Sequence, residues 1–417
     1  MKLPPRVIDD ADPSALTIEE ALLRIRDALP RLTDVQDLDC SDALGRVSAV
    51  DIDSPMSVPP FRASAMDGYA LRVADCQQPL RLDGQSMAGH PGSDRIEPGS
   101  CQRITTGARV PDDADAVVQQ ENADNNDGTV TIRVMPHVGL HVRNPGTDSH
   151  EGERLIDSGT RLGPSQLALL AAHGISRVQV YRKLVIALLS TGDELRKPGN
   201  KLEAGQIYDA NRPLLQSLLQ ENSVEVIDLG ICKDSVSALE QRMAAAQEAD
   251  LVISSGGVSV GDADHVRHVL ERAGKIDFWK IAMKPGRPLT FGISRPDQAY
   301  FGLPGNPVSA ALTTLLFVKP AIRHMQGRTL SLPPAIQLPL TDELRKNPGR
   351  VEYQRAIMQQ DSQGNWHVGT TGLQDSHVLS SLHKANCLIE LATGSTGAAV
   401  GESVSVYPFS HFAEPVL

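Results

Sequence analysis

Apolar residues recur along this 417-residue chain in three rhythms, and each rhythm predicts a different kind of element. The first is helical and covers residues 17–29. Thr17 is placed to cap it, Glu19 and Glu20 fall in its first turn, and Leu22, Leu23 and Ile25 give it an apolar face. From 54 to 152 the apolar pieces shorten. Ala116-Val117-Val118 and Val130-Thr131-Ile132-Arg133-Val134 sit among the turn signals Pro59-Pro60, Pro91-Gly92, Pro98-Gly99 and Asp127-Gly128. That texture predicts a β-rich module with many loops. A helix is expected at 165–173, opened by Pro164 and stopped near Gly174.

From 183 to about 327 continuous apolar runs alternate with helical ones. Strands are expected at 184–189, 224–229, 251–254, 276–281, 289–293 and 299–302, with helices at 211–221, 235–248, 265–270 and from 308 onward. This alternation predicts a parallel sheet covered on both faces. Beyond 332 the chain returns to short strands, at 351–357, 366–369, 387–391 and 403–406, as in a small barrel or sandwich.

Charge and cysteine usage narrow the function classes. The net charge is −11, which argues against a nucleic-acid binder. An acidic chain that takes an anionic ligand has to gather its cations locally, so a tight Lys/Arg cluster is informative. The five cysteines (Cys40, Cys76, Cys101, Cys232 and Cys387) show no Cys-x-x-Cys pair, and unpaired thiols in a reducing cytosol are expected. No signal peptide and no membrane span is expected, which places the chain in the cytoplasm.

Four loops carry candidate chemistry. Ser254-Ser255-Gly256-Gly257-Val258-Ser259-Val260-Gly261-Asp262-Ala263-Asp264 follows a strand and precedes a helix. Its small residues, Gly256, Gly257, Ser259 and Gly261 among them, let backbone N–H groups approach a phosphate. Asp262 and Asp264 suit a hard cation such as Mg²⁺. A Gly-rich turn with acids at a helix start also has a purely structural reading. Next, Lys280-Ile281-Ala282-Met283-Lys284-Pro285-Gly286-Arg287-Pro288 sets Lys284 and Arg287 in a proline-bounded turn. In an acidic protein that resembles an oxyanion clamp; an ordinary surface turn is the plainer reading. In Gly302-Leu303-Pro304-Gly305-Asn306-Pro307-Val308-Ser309, a rigid loop opens a helix whose free N–H groups, with Ser309, would face an anion. Finally, Ser190-Thr191-Gly192-Asp193-Glu194 leaves the first strand at the edge where open sheets bind ligands. Glu194, Asp234 and Asp264 thus form a carboxylate set from three strand ends, which points toward metal-assisted phosphoryl chemistry.

With these loops in hand, the chain resembles the molybdopterin molybdenumtransferases, the family of bacterial MoeA and the C-terminal domain of gephyrin. The resemblance is carried by Ser64-Ala65-Met66-Asp67-Gly68-Tyr69-Ala70, Ile104-Thr105-Thr106-Gly107-Ala108, Ile207-Tyr208-Asp209-Ala210-Asn211 and the four loops above, in family order. It implies a multidomain fold of α/β plus β type. A central parallel-sheet, molybdopterin-binding-like domain would take 1–34 and 183–332, a small linking domain 35–53 and 153–182, a β-rich module 54–152 and a C-terminal β-barrel 333–417.

The resemblance further implies a homodimer that inserts molybdenum from molybdate into adenylylated molybdopterin, with Mg²⁺-assisted release of AMP. Asp67, Thr106 and Asp148 would come from the β-rich module. Glu194, Asp234 and Asp264 would handle Mg²⁺ and the pyrophosphate, and Lys280 and Lys284 would neutralise phosphate. Molybdate would sit on Arg287, Pro288, Ser309, Arg355 and Ser376. Contacts are implied with the adenylyltransferase acting before it and with molybdoenzyme maturation proteins; nucleic acid and membrane are not expected. Two positions depart from the common family pattern: Thr147 stands where Glu is usual and Arg287 where Lys is common. A gephyrin-type scaffold, which could dispense with the acids, and a nucleotidyl-transfer enzyme acting without molybdate are the competing classes.

Overall fold

The computed structural model describes residues 11–256 and 274–413. The helix expected at 265–270, together with Gly257, Ser259, Gly261, Asp262 and Asp264, lies outside the described residues.

The N-terminal helix is Ile18–Ala28. The Thr17 side chain accepts from the Glu20 N–H, and the Glu20 side chain reaches back to Thr17, forming a capping box. Its apolar face, Ile18, Ala21, Leu22 and Ile25, is buried in the core of the central sheet rather than in a unit of its own.

That sheet has six strands in the order Val224–Cys232, Leu184–Thr191, Leu251–Ser255, Gln298–Leu303, Pro288–Arg295, Lys275–Lys280. The first four run parallel; the three inner ones are largely buried apolar runs, while the edge strand Val224–Cys232 carries Glu225 and Asp228 and is only partly buried. The last two are antiparallel, which corrects the expectation of a parallel sheet. The reason is loop length. Pro296 and Asp297 alone join Pro288–Arg295 to Gln298–Leu303, and two residues close a hairpin but cannot carry the crossover that parallel neighbours need. Helices Asn211–Leu219 and Val236–Ala245 and the long helical stretch 307–325 supply Leu215, Leu219, Leu239, Met243, Leu312, Leu316 and Phe317 to the cores on the sheet.

Two segments far apart in sequence pair beside this sheet. Val35–Asp39 runs antiparallel to Arg177–Tyr181, and Ile52–Asp53 to Arg154–Ile156, around a small core of Ala43, Ile156, Leu162, Leu170, Val178 and Val180. Between them the chain forms a second six-stranded sheet, from Gly68–Leu71 to Thr129–Ile132, with its own core.

The C-terminal strands follow the path Met283–Lys284, Val351–Gln360, Cys387–Leu391, Ser403–Pro408, Ile336–Pro339, with Trp366–Thr370 paired to Val351–Gln360. A bridge between Leu340 and Val368 brings the far side of this path back to Trp366–Thr370. The sequence pattern missed Ile336–Pro339 and the two-residue strand Met283–Lys284, both too short and too proline-flanked to show a period. The latter matters, because it pairs the loop bearing Lys284 with the C-terminal sheet.

Asp250 fastens the paired segments to the central sheet. Its carboxylate accepts from both terminal nitrogens of Arg182, at 2.6 and 2.7 Å, and from the Val185 N–H at 2.8 Å. Asp250→Ala leaves the Val185 N–H unpaired at a buried position and leaves Arg182 with Asp34 as its remaining carboxylate partner. It is expected to cost about 2–4 kcal/mol in urea denaturation, and a loss under about 0.5 kcal/mol would contradict that role.

Candidate active site

Four parallel strands end at one level. Thr191 is in register with Cys232, Ser190 with Ser255, and Ser255 with Leu303. The loops leaving these ends line a cavity of about 510 Å³ that includes Ser190, Thr191, Glu194, Asn211, Asp234, Gly256 and Asn306. This is the edge where an open α/β sheet takes its ligand.

Gly256 is fixed there by shape. Its φ is +93°, and a Cβ would lie 2.6 Å from the Thr191 carbonyl oxygen. The floor is polar. Asn211 Nδ2 donates to Ser255 Oγ and to the Gly305 carbonyl, each at 2.7 Å, tying three of the loops together. Ser190 Oγ and Thr191 Oγ1 are buried at the strand end with no hydrogen-bond partner. Unpaired buried hydroxyls at a cavity wall are costly unless a ligand or water takes them.

A second cavity, of about 670 Å³, shares Glu194, Ile207, Gly305 and Asn306 with the first. Lys284, Arg287, Pro288, Ser309, Arg350, Gln374, Asp375 and Ser376 line the rest of it. The structure therefore brings Lys284, Arg287, Pro288, Ser309 and Ser376 into one place. The cations there are already engaged. Lys284 Nζ lies 3.3 Å from Glu352 Oε2, whose side chain is buried, and Arg287 pairs with Asp12. Lys280 also reaches Asp12, at 3.4 Å. Hydrogen bonds from Ser14, then the Arg287 and Lys280 cations, hold the Asp12 carboxyl well below the usual carboxylate range.

Two expectations change in detail. The helix opening at Pro307 does not present all its N–H groups: Val308 N–H donates to the Ser376 carbonyl at 3.1 Å, while Asn306 Nδ2 donates to Ser376 Oγ at 2.8 Å. Ser376 thus clamps the helix start to the C-terminal strands. Arg355 does not line the cavity. It is fully buried beneath the loop 373–376, donating to the Leu373 and Asp375 carbonyls at 3.4 and 3.1 Å and to Ser381 Oγ at 3.1 Å. Burial pulls its guanidinium down to about 10, and Nη1 has no partner. It shapes the loop that carries Ser376.

Asp67 and Thr106 meet each other instead of this cavity. Asp67 Oδ1 accepts from the Thr106 N–H at 2.6 Å and its hydroxyl at 2.8 Å, bonds that hold the Asp67 carboxyl below its ordinary value. Asp148 lines a separate cavity of about 480 Å³ with Pro59, Phe61, Gly107, Arg143 and Thr147. The Thr147 hydroxyl donates to the Asn144 carbonyl at 2.6 Å.

A larger cavity of about 720 Å³, walled by Leu214, Leu218, Leu315, Leu382, Phe409 and Phe412, contains none of the predicted site residues. Sequence reasoning missed Asp12, Asn211 and Glu352 as parts of the site. The Asp-Pro-Ser run at 12–14 is a turn signature that could have flagged the first, and Asn211 ends one of the resemblance motifs.

Carboxylates, amides and hydroxyls lie at a strand-end crevice beside a cavity lined by Lys284 and Arg287. Comparison with known proteins narrows the class. The chain matches the MoeA N-terminal region (domain I and II) over 16–174, the probable molybdopterin binding domain over 187–324, and the MoeA C-terminal region (domain IV) over 337–409. A molybdopterin molybdenumtransferase of Haemophilus influenzae is 43% identical over 402 residues, covering 95% of this chain and 99% of that protein. A gephyrin of Dictyostelium discoideum is 33% identical over 427 residues, 90% of this chain and 59% of its own length. The crystal structure of a molybdopterin biosynthesis MoeA protein from Pyrococcus horikoshii OT3 superposes with a TM-score of 0.81 at 28% identity, covering 94% of this chain and 100% of that one. The chain belongs to the MoeA family of molybdopterin molybdenumtransferases.

Gly256→Ala is expected to remove phosphorylated-ligand binding at the strand end while leaving the rest of the fold in place, because the left-handed backbone and the Thr191 carbonyl both exclude a side chain. The strain is on the order of 1–3 kcal/mol. Titration with AMP and a thermal melt check both parts; unchanged AMP affinity would contradict the packing argument.

Proposed function

We propose that this enzyme inserts molybdenum from molybdate into adenylylated molybdopterin and releases AMP. The reading is supported above all by two neighbouring cavities that share Glu194, one at the ends of the parallel strands and one lined by Lys284 and Arg287. The pterin nucleotide takes the strand-end cavity and molybdate the cationic one. Holding the oxyanion beside the pterin dithiolene turns a bimolecular ligand exchange into a positioned one.

Pyrophosphate cleavage asks for orientation and charge neutralisation more than for covalent help. Lys280 and Lys284 neutralise phosphate oxygens, and Lys280, which shares Asp12 with Arg287, adds its charge to the molybdate that Arg287 and Ser309 hold, Arg287 as a planar fork. Asn211 and the Ser190 and Thr191 hydroxyls orient the nucleotide end. Among the described residues no three His, Cys, Asp or Glu side chains converge as a metal site. Glu194 and Asp234 still supply hard oxygen donors beside unpartnered hydroxyls, a donor set that suits Mg²⁺. Glu194, Asp234 and Asp264 would hold that ion, whose charge would offset the pyrophosphate. A gephyrin-type scaffold and transfer without molybdate have no observation of their own in their favour.

Three finer points follow the same reading. The C-terminal strands, closed by the Leu340–Val368 bridge, form a barrel domain at 333–417, beside a central domain of 1–34 and 183–332, a linking domain of 35–53 and 153–182 and a β-rich module at 54–152. The enzyme works in the cytoplasm, between the adenylyltransferase that supplies its substrate and the maturation proteins that take its product. Among the described residues no helix is long and apolar enough to cross a membrane. It acts as a homodimer, because Asp67, Thr106 and Asp148 line neither of the cavities that meet at Glu194. A second subunit's β-rich module would bring them to it.

Asp67→Ala and Asp264→Ala chains should each be inactive alone. Mixed and allowed to exchange subunits, they should recover about a quarter of wild-type AMP release, since half the dimers are mixed and each holds one intact site. No recovery after demonstrated exchange would rule out a shared site.

A further inference from the structure

Lys280 and Arg287 converge on a single oxygen. Asp12 Oδ2 receives Lys280 Nζ at 3.4 Å and also pairs with Arg287 Nη2. The other oxygen, Oδ1, is held by the residue's own turn, accepting from the Ser14 N–H at 2.9 Å and the Ser14 hydroxyl at 2.6 Å. The segment is then stitched to the strand behind it. Leu16 N–H donates to the Lys280 carbonyl and Ala282 N–H to the Leu16 carbonyl, both at 2.8 Å. One carboxylate oxygen, aimed by a rigid turn at a Lys–Arg pair, presents to those cations what an oxygen of a bound oxyanion would present.

We propose that Asp12 is the resident counter-anion of the oxyanion site: its carboxylate occupies the Lys280–Arg287 pair until molybdate displaces it, and its charge sets which anions can do so. This rests on the reading that Arg287 contacts molybdate. The charge balance carries the argument. With Asp12 in place, Lys280 and Arg287 offer an incoming anion one net positive charge; with Asp12 turned away they offer two. A dianion such as molybdate regains the full attraction of both cations on displacing Asp12, whereas a monoanion only replaces one charge with another. Weakly charged anions are therefore turned away. The movement required is small, because the helix after Thr17 is anchored by Ile18, Ala21, Leu22 and Ile25, so only the turn before it has to shift. Ser14 and the two cations keep the carboxyl ionised through the working pH range, so competition rather than protonation releases it.

The test is calorimetric titration of the full-length protein with molybdate, and separately with the tetrahedral monoanion perrhenate, in wild type and three variants. Asp12→Asn keeps the shape and the Ser14 bonds but loses the charge. It should bind both anions about fivefold more tightly or better, and by a similar factor, because displacing Asp12 costs each of them the same. Ser14→Ala, which loosens Oδ1, should shift affinity the same way by less. Arg287→Ala should weaken molybdate by roughly tenfold or more. If Arg287→Ala leaves molybdate binding unchanged, the oxyanion is placed wrongly and the Asp12 proposal falls with it. If Arg287→Ala weakens binding but Asp12→Asn leaves it equal or weaker, the oxyanion site stands and the counter-anion role is overturned.

Discussion

For the proposed reaction, an acidic chain has to collect positive charge in one place and keep it stable when no substrate is there. Here that constraint is met by ion pairs at the cavity wall. Lys284 rests against buried Glu352, and Lys280 and Arg287 share Asp12. Most of the site architecture serves this arrangement. The short strand Met283–Lys284 ties the clamp loop to the C-terminal sheet, and Ser376 fixes the helix start at Pro307–Val308. Arg355, buried beneath 373–376, sets that loop at the depth where Ser376 can do so. The cations are thus positioned before any substrate arrives, which lowers the ordering cost of binding it.

The strand-end cavity follows from a different constraint, the parallel register of four strands. Because Thr191, Cys232, Ser255 and Leu303 end together, their loops have nowhere to go but around a common crevice. Gly256 and Asn211 then set its floor, the first by lacking a side chain against the Thr191 carbonyl, the second by bonding to two neighbouring loops.

Much of this was legible in the sequence. The continuous apolar run at 184–189 marked a strand buried on both faces, and Thr17 with the acids Glu19 and Glu20 marked the start of the first helix. The antiparallel half of the sheet was not, because a hairpin and a crossover differ in loop length rather than in the strand pattern itself. The loops at 190–194, 284–288 and 303–307 stood out through proline, glycine and charge. Asp12 and Glu352 did not. A carboxylate that partners a distant cation has no local signature, as the 268-residue separation of Asp12 and Lys280 illustrates. Arg355, which the family resemblance implied at molybdate, lies beneath the loop 373–376, a placement with no local signature in the sequence.

The central claim is that both cavities serve one reaction, with nucleotide release coupled to the oxyanion. The most direct measurement incubates the full chain with adenylylated molybdopterin and Mg²⁺ across a range of molybdate concentrations, following AMP and transferable molybdenum cofactor together. AMP is expected only when molybdate is present, and in step with the cofactor. AMP release at the same rate without molybdate would contradict that claim.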